Sequence, residues 1–160
     1  MRSIQDVDAP LLSRWFLVLV AVPLLTACGG AAATQTLAAQ YMAIAVAGNQ
    51  HLDHDHDALA GQDRGQLRAA AADLTHAAAT ESRFDRELLA LDLPPAIRVV
   101  ANALVTANEA RIALDTEAAQ AATVDALHRL LARLPDADAA VEKHVRTIRM
   151  QLGLPPPDTS

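Results

Sequence analysis

Apolar residues recur along this chain at steps of three and four, and almost none of them is aromatic. That spacing gathers them on one face of a helix and conflicts with the two-residue alternation of a half-buried strand. Hydrophobic residues make up 52% of the sequence but aromatic residues only 2%, so alanine and leucine must carry the core. Alanine is the strongest helix former, whereas strands favour β-branched and aromatic side chains. The expected fold class is all-α.

Four stretches show the pattern. Helix 1 is expected over 36–60, with Leu37, Tyr41, Ile44, Gly48, Leu52 and Leu59 on its apolar face and Gly61 as its stop. Asp63, with Gln66 three residues on, reads as a capping box, so helix 2 is expected over 64–91. Its stripe is Leu67, Ala71, Leu74, Ala78, Phe84, Leu88 and Leu91, and Leu93-Pro94-Pro95 ends it. Glu81 falls on the heptad line of Leu67, Leu74 and Leu88, and drift of the helical period is expected to turn it to the stripe's edge. Helix 3 is expected over 95–119, with Val99, Ala103, Val105, Ala110, Ile112 and Ala113 on its apolar side. Helix 4, capped by Thr123, is expected over 124–152, kinked or split at Pro135, with a kink favoured. Gly153 ends it, and Leu154 can fold back on it. Short turns between such helices make an up-down-up-down four-helix bundle over 36–153 the expected architecture, followed by a Pro-rich tail over 154–160.

The N-terminal end has a different character. From Trp15 to Leu25 the chain is continuously apolar, but the run is too short to span a hydrocarbon core of about 30 Å as a helix. Leu25-Thr26-Ala27-Cys28-Gly29 follows and matches a lipobox. Residues 1–27 are therefore expected to be a lipoprotein signal peptide. Cys28, the sole cysteine, is expected to carry a covalent diacylglycerol lipid and to become the first mature residue. Residues 28–35 are expected to form a flexible tether. The implied location is the extracytoplasmic face of the cell membrane, with the membrane itself a partner through the lipid. One cysteine also excludes an intramolecular disulfide.

The lipobox is joined by Tyr41-Met42-Ala43-Ile44, Leu52-Asp53, Leu91-Asp92-Leu93-Pro94-Pro95 and Leu152-Gly153-Leu154-Pro155-Pro156. On these motifs the chain resembles a loosely related group of small actinobacterial lipoproteins with an alanine-rich helical domain, mostly of unknown function. The likeness covers nearly the whole chain, and its motifs are mainly helix ends. It implies the bundle and the envelope address, and it brings no catalytic residues.

Several function classes are disfavoured. The net charge is −6, and neither a basic stripe nor stacking aromatics are present for a nucleic acid. There is no Gly-rich phosphate loop, no nucleophile elbow around Ser82 and no paired Glu-x-x-His motif, so neither enzyme activity nor a cofactor is expected. One constellation stands out, His51-Leu52-Asp53-His54-Asp55-His56-Asp57. Imidazoles and carboxylates are ligands for zinc, copper or nickel. His51 and Asp55 share a helix flank, and bundle topology brings the start of helix 4, with His128, to a similar height. His51, Asp55 and His128 are thus the candidate metal ligands, while His76 is expected further along the rod and facing away. The leading expectation is a non-enzymatic, lipid-anchored envelope protein acting through protein contacts or as a structural element, with a groove beside Pro135 as a contact surface. The alternative is a transition-metal-binding envelope protein.

Overall fold

A computed structural model describes residues 27–157 and, among side chains, those from Ala32 onward. Apart from Ala27, the segment read as a signal peptide lies outside the described residues, and so does the Cys28 side chain. The described residues form five helices and no strand: α1 (Ala27–Ala60), α2 (Leu67–Ala90), α3 (Pro95–Ala119), α4 (Val124–Leu131) and α5 (Leu134–Gln151). None of these helices is long and apolar enough to cross a membrane.

Helix boundaries follow local chemistry, with three corrections to the expectations. First, α1 begins at Ala27, so the segment expected as a flexible tether, 28–35, is helical. Three successive alanines, Ala31 to Ala33, favour helix strongly enough to extend it across Gly29 and Gly30. Second, the Asp63–Gln66 capping box does not form. Gln66 is itself the cap residue of α2, in extended conformation with no side-chain cap bond, and α2 starts at Leu67. Backbone bonds from Gly61 to Asp57 and from Gln66 to Asp63 close the turn instead. Third, the favoured kink at Pro135 is a full break. α4 ends at Leu131, and Pro135 sits in the first turn of α5, where its missing N–H costs nothing.

Other ends form as expected. The Thr123 hydroxyl accepts from the Ala126 amide at 3.2 Å and caps α4. Gly153, at φ 69°, ends α5 in the left-handed region. The Leu154 amide then reaches the Arg149 carbonyl and the Gly153 amide the Met150 carbonyl, a Schellman motif that turns Leu154 back onto the core.

α2 packs on α1 and α3, and α3 also packs on α4 and α5. The apolar interior falls into two clusters. One gathers Tyr41, Leu88, Leu104, Ile148 and Leu152, with Phe84 edge-on to Tyr41 at 6.4 Å between ring centres. The other gathers Leu59, Leu74, Ala118 and Leu127. Each fully buried leucine or isoleucine contributes roughly 1.5–3 kcal/mol of transfer free energy.

Between the clusters, α2 and α3 present polar residues inward. The buried face of α3 is Ile97, Ala101, Leu104, Asn108, Arg111, Leu114, Asp115 and Ala118. The expected face is rotated away from this one, and Val99 is 70% exposed. Glu81, expected at the edge of the α2 stripe, is buried at 6% exposure.

Candidate functional site: an ion cluster around Arg111

Helical spacing builds the cluster. Glu81 and Asp85 are one turn apart on the inner face of α2, and Asn108, Arg111 and Asp115 follow at three and four residues on the inner face of α3. Arg111 is the hub. Its Nη1 donates to Glu81 Oε1 and, at 3.1 Å, to Asp115 Oδ2, and its Nε donates to Asp138 Oδ1 from α5. Its Nη2 lies 2.7 Å from His56 Nε2 on α1. Guanidinium carries no acceptor, so this imidazole nitrogen accepts, and the His56 proton sits on Nδ1. A planar fork of five donors suits several partners at once, which a lysine ammonium would not. Beside the hub, Asn108 Nδ2 donates to Asp85 Oδ1 at 2.7 Å.

Side-chain exposure is 3% for Arg111, 7% for Glu81 and 1% for Asp115, against 50% for Asp138. Burial raises the Glu81 carboxyl to about 7, against the opposing pull of Arg111. Burial likewise raises Asp85 and Asp115, each to about 6. Burial alone would lower Arg111, but Glu81, Asp115 and Asp138 outweigh it and hold the guanidinium above its ordinary value. Burial, then the Arg111 charge, pushes His56 down, which keeps the imidazole neutral as an acceptor. A buried cation with these partners is costly to desolvate and costlier to unpair.

The cluster borders a cleft of about 320 Å³ beside the break between α4 and α5. His56, Arg64, Arg111, His128 and Asp138 supply its polar wall, and Leu59, Leu131 and Leu134 its apolar one.

The histidine-rich segment is arranged differently from expectation. Asp55 is buried and accepts from His76 Nδ1 of α2 at 2.6 Å, and the His51 ring stands edge-on to His76 at 5.6 Å. His76 therefore faces this flank rather than away from it. His128 does not join them. Its Nε2 lies 3.0 Å from the Arg64 carbonyl, and its ring lines the cleft. Among the described residues, no three His, Cys, Asp or Glu side chains are grouped so as to hold a metal ion. Met42 packs against the core, and its sulfur accepts from Arg149 at 3.5 Å.

Arg111, Asn108, Asp115 and Asp138 carried no signal in the apolar pattern. Their trace in the sequence is the alignment of Asn108, Arg111 and Asp115 with Ile97, Ala101 and Leu104, opposite a Glu81 already on a heptad line. Comparison with known protein families, curated proteins and solved structures finds no match to this chain.

Proposed function

We propose that this chain is a lipid-anchored, non-enzymatic protein of the cell envelope whose helical domain acts by binding. The observation that carries the reading is the lipobox, Leu25-Thr26-Ala27-Cys28-Gly29, directly after the apolar run. The resemblance to small actinobacterial lipoproteins supports the same address. Residue pairings support an up-down-up-down arrangement of the long helices. Tyr41 and Asp55 of α1 meet Phe84 and His76 of α2, in reversed order. Asp85 and Glu81 meet Asn108 and Arg111, also reversed. A binding role fits the ion cluster, whose groups are engaged with one another rather than poised around a nucleophile.

The test is metabolic labelling of the full chain in a bacterial host with an alkyne fatty acid. The parent takes the label and enters the detergent phase on Triton X-114 partition, while Cys28→Ala does neither. Label retained by Cys28→Ala, or none in the parent, removes the anchor.

A second reading, transition-metal binding, rests on the approach of two imidazoles, His51 of α1 and His76 of α2. Calorimetric titration with Zn²⁺ or Cu²⁺ tests it, and the absence of binding heat ends it.

A further inference from the structure

Arg149, in the last turn of α5, spends its guanidinium on the C-terminal tail. Its Nε donates to the Pro155 carbonyl at 2.6 Å and its Nη2 to the Pro156 carbonyl at 3.4 Å, while Nη1 reaches Met42 Sδ of α1 at 3.5 Å. The match is chemical. Consecutive prolines offer carbonyls and no N–H, and they hold the chain extended. A guanidinium offers donors and no acceptor. One arginine thus seats an extended proline segment beside α1.

Pro157 then joins the wall of a cleft of about 560 Å³ along α1. Met42, Val46, Asn49, Asp53 and His56 line it at steps of four and three, so one stripe of the helix faces it, with Asp57 at its edge. Val46, Asn49, Asp53 and Asp57 are exposed, so this stripe is open. At 1.5 Å per residue, Asp53 and Asp57 lie about 16 and about 22 Å along α1 from Met42. An extended proline-type chain advances about 3.1 Å per residue, so it covers those distances in about five and about seven residues.

The charges of the cleft are divided. Arg149 stands at the Met42 end, and Asp53 and Asp57 at the other. His56 is a neutral acceptor for Arg111. Nearby charges are engaged elsewhere: Asp55 with His76, Asp138 with Arg111 and Arg146 with Glu142. Lys143 and His144 of α5 do not line the cleft. The chain's own tail suits only one end, because the next residue in the sequence, Asp158, repeats the sign of Asp53 and Asp57. The tail of a second copy has the same defect. We propose that this stripe of α1 is the docking groove for an extended partner segment, with prolines at the Arg149 end followed by lysines or arginines along Asp53 and Asp57, and that the chain's own tail is its placeholder. This names the partner chemistry for the binding role proposed above, and it does not involve the lipid anchor.

The experiment is calorimetric titration of the detergent-solubilised chain, both full and ending at Leu154, with a peptide of three prolines followed by five lysines. In one control peptide alanines replace the prolines, and in the other aspartates replace the lysines. The chain ending at Leu154 binds one proline–lysine peptide, at least about tenfold more tightly than either control. The full chain binds it at least about threefold more weakly, because its own tail must leave first. Asp53→Asn/Asp57→Asn removes the preference for lysine over aspartate, and Arg149→Gln removes the preference for proline over alanine. Circular dichroism checks that each variant folds, and if the shortened chain does not, the full chain and its variants carry the test. The proposal is overturned if the proline–lysine peptide does not bind, if the alanine–lysine peptide binds equally well through charge alone, or if the folded variants keep the parent's preferences. Equal binding by the full and shortened chains overturns the placeholder. None of these outcomes touches the fatty-acid labelling, so loss of this groove and loss of the anchor are told apart.

Discussion

The guanidinium of Arg111 on α3 donates to the carboxylate of Glu81 on α2, and both side chains are almost fully buried. The pair joins the two most extensively packed helices at the level where the apolar clusters give way to charge. Removing one partner of such a pair leaves the other buried and uncompensated, which costs about 3–5 kcal/mol, whereas removing both can be close to neutral. Arg111→Met is therefore expected to lower the urea midpoint sharply. Adding Glu81→Gln and Asp115→Asn to it should restore much of the loss. Chemical denaturation at neutral pH reads both, and equal stability of the single and triple variants would show that the cluster does not act as a unit.

The same burial makes stability depend on pH in an unusual direction. Glu81, Asp85 and Asp115 bind protons more tightly in the fold than in the unfolded chain, with folded values of about 7, 6 and 6. A carboxyl raised in this way contributes stability that is full below its ordinary range and is lost as pH rises through its folded value. His56, pushed down, works in the opposite sense: its contribution is present above the ordinary imidazole value and is lost as pH falls through its folded value. Three carboxyls outweigh one imidazole, so melting temperature should fall as pH rises from about 4 to about 7, between the ordinary carboxyl values and the folded ones. Glu81 alone accounts for roughly 3 kcal/mol over this window. Glu81→Gln should flatten the profile, and a profile that rises with pH in the parent would contradict the burial of these groups.

How much of this was legible in the sequence depends on what each residue's neighbours were. The stripe of α2 and the stops at Gly153 and Pro95 were readable because apolar period and backbone chemistry are local properties. The inner face of α3 was not. Its core positions near Arg111 are polar, so a search for apolar side chains settled on Val99, Val105 and Ile112, which lie on other sides of the helix. Glu81 could be placed on a heptad line, but its burial depends on a partner thirty residues away that only the fold supplies. The histidine segment failed for a related reason. Asp55 was paired by reasoning from helix ends, whereas the packing of α2 on α1 sets His76 against it and leaves His128 on the Arg64 carbonyl.

That rearrangement changes what a metal titration should show. His128 is engaged with the Arg64 carbonyl and lines the cleft, whereas His51, Asp55 and His76 are neighbours. Zn²⁺ titrated into His128→Ala should give the same isotherm as the parent. An isotherm that changes in His128→Ala would mean that α4 swings across to the α1–α2 flank.

The register of α3 can be tested by two truncations. Leu104 is fully buried among Tyr41, Leu88 and Ile148, while Val99 lies one and a half turns earlier at 70% exposure. Cutting a buried leucine to alanine removes transfer free energy and leaves a cavity, at about 2–5 kcal/mol. Cutting an exposed valine to alanine removes little packing, and alanine's higher helix propensity offsets it, so the change stays within about 0.5 kcal/mol. If the face carrying Val99 were the inner one, as the apolar residues alone suggest, the two costs would exchange. Thermal denaturation of Leu104→Ala and Val99→Ala decides between the two registers. It also decides whether Arg111, seven residues beyond Leu104 on the same face, is inside the fold at all.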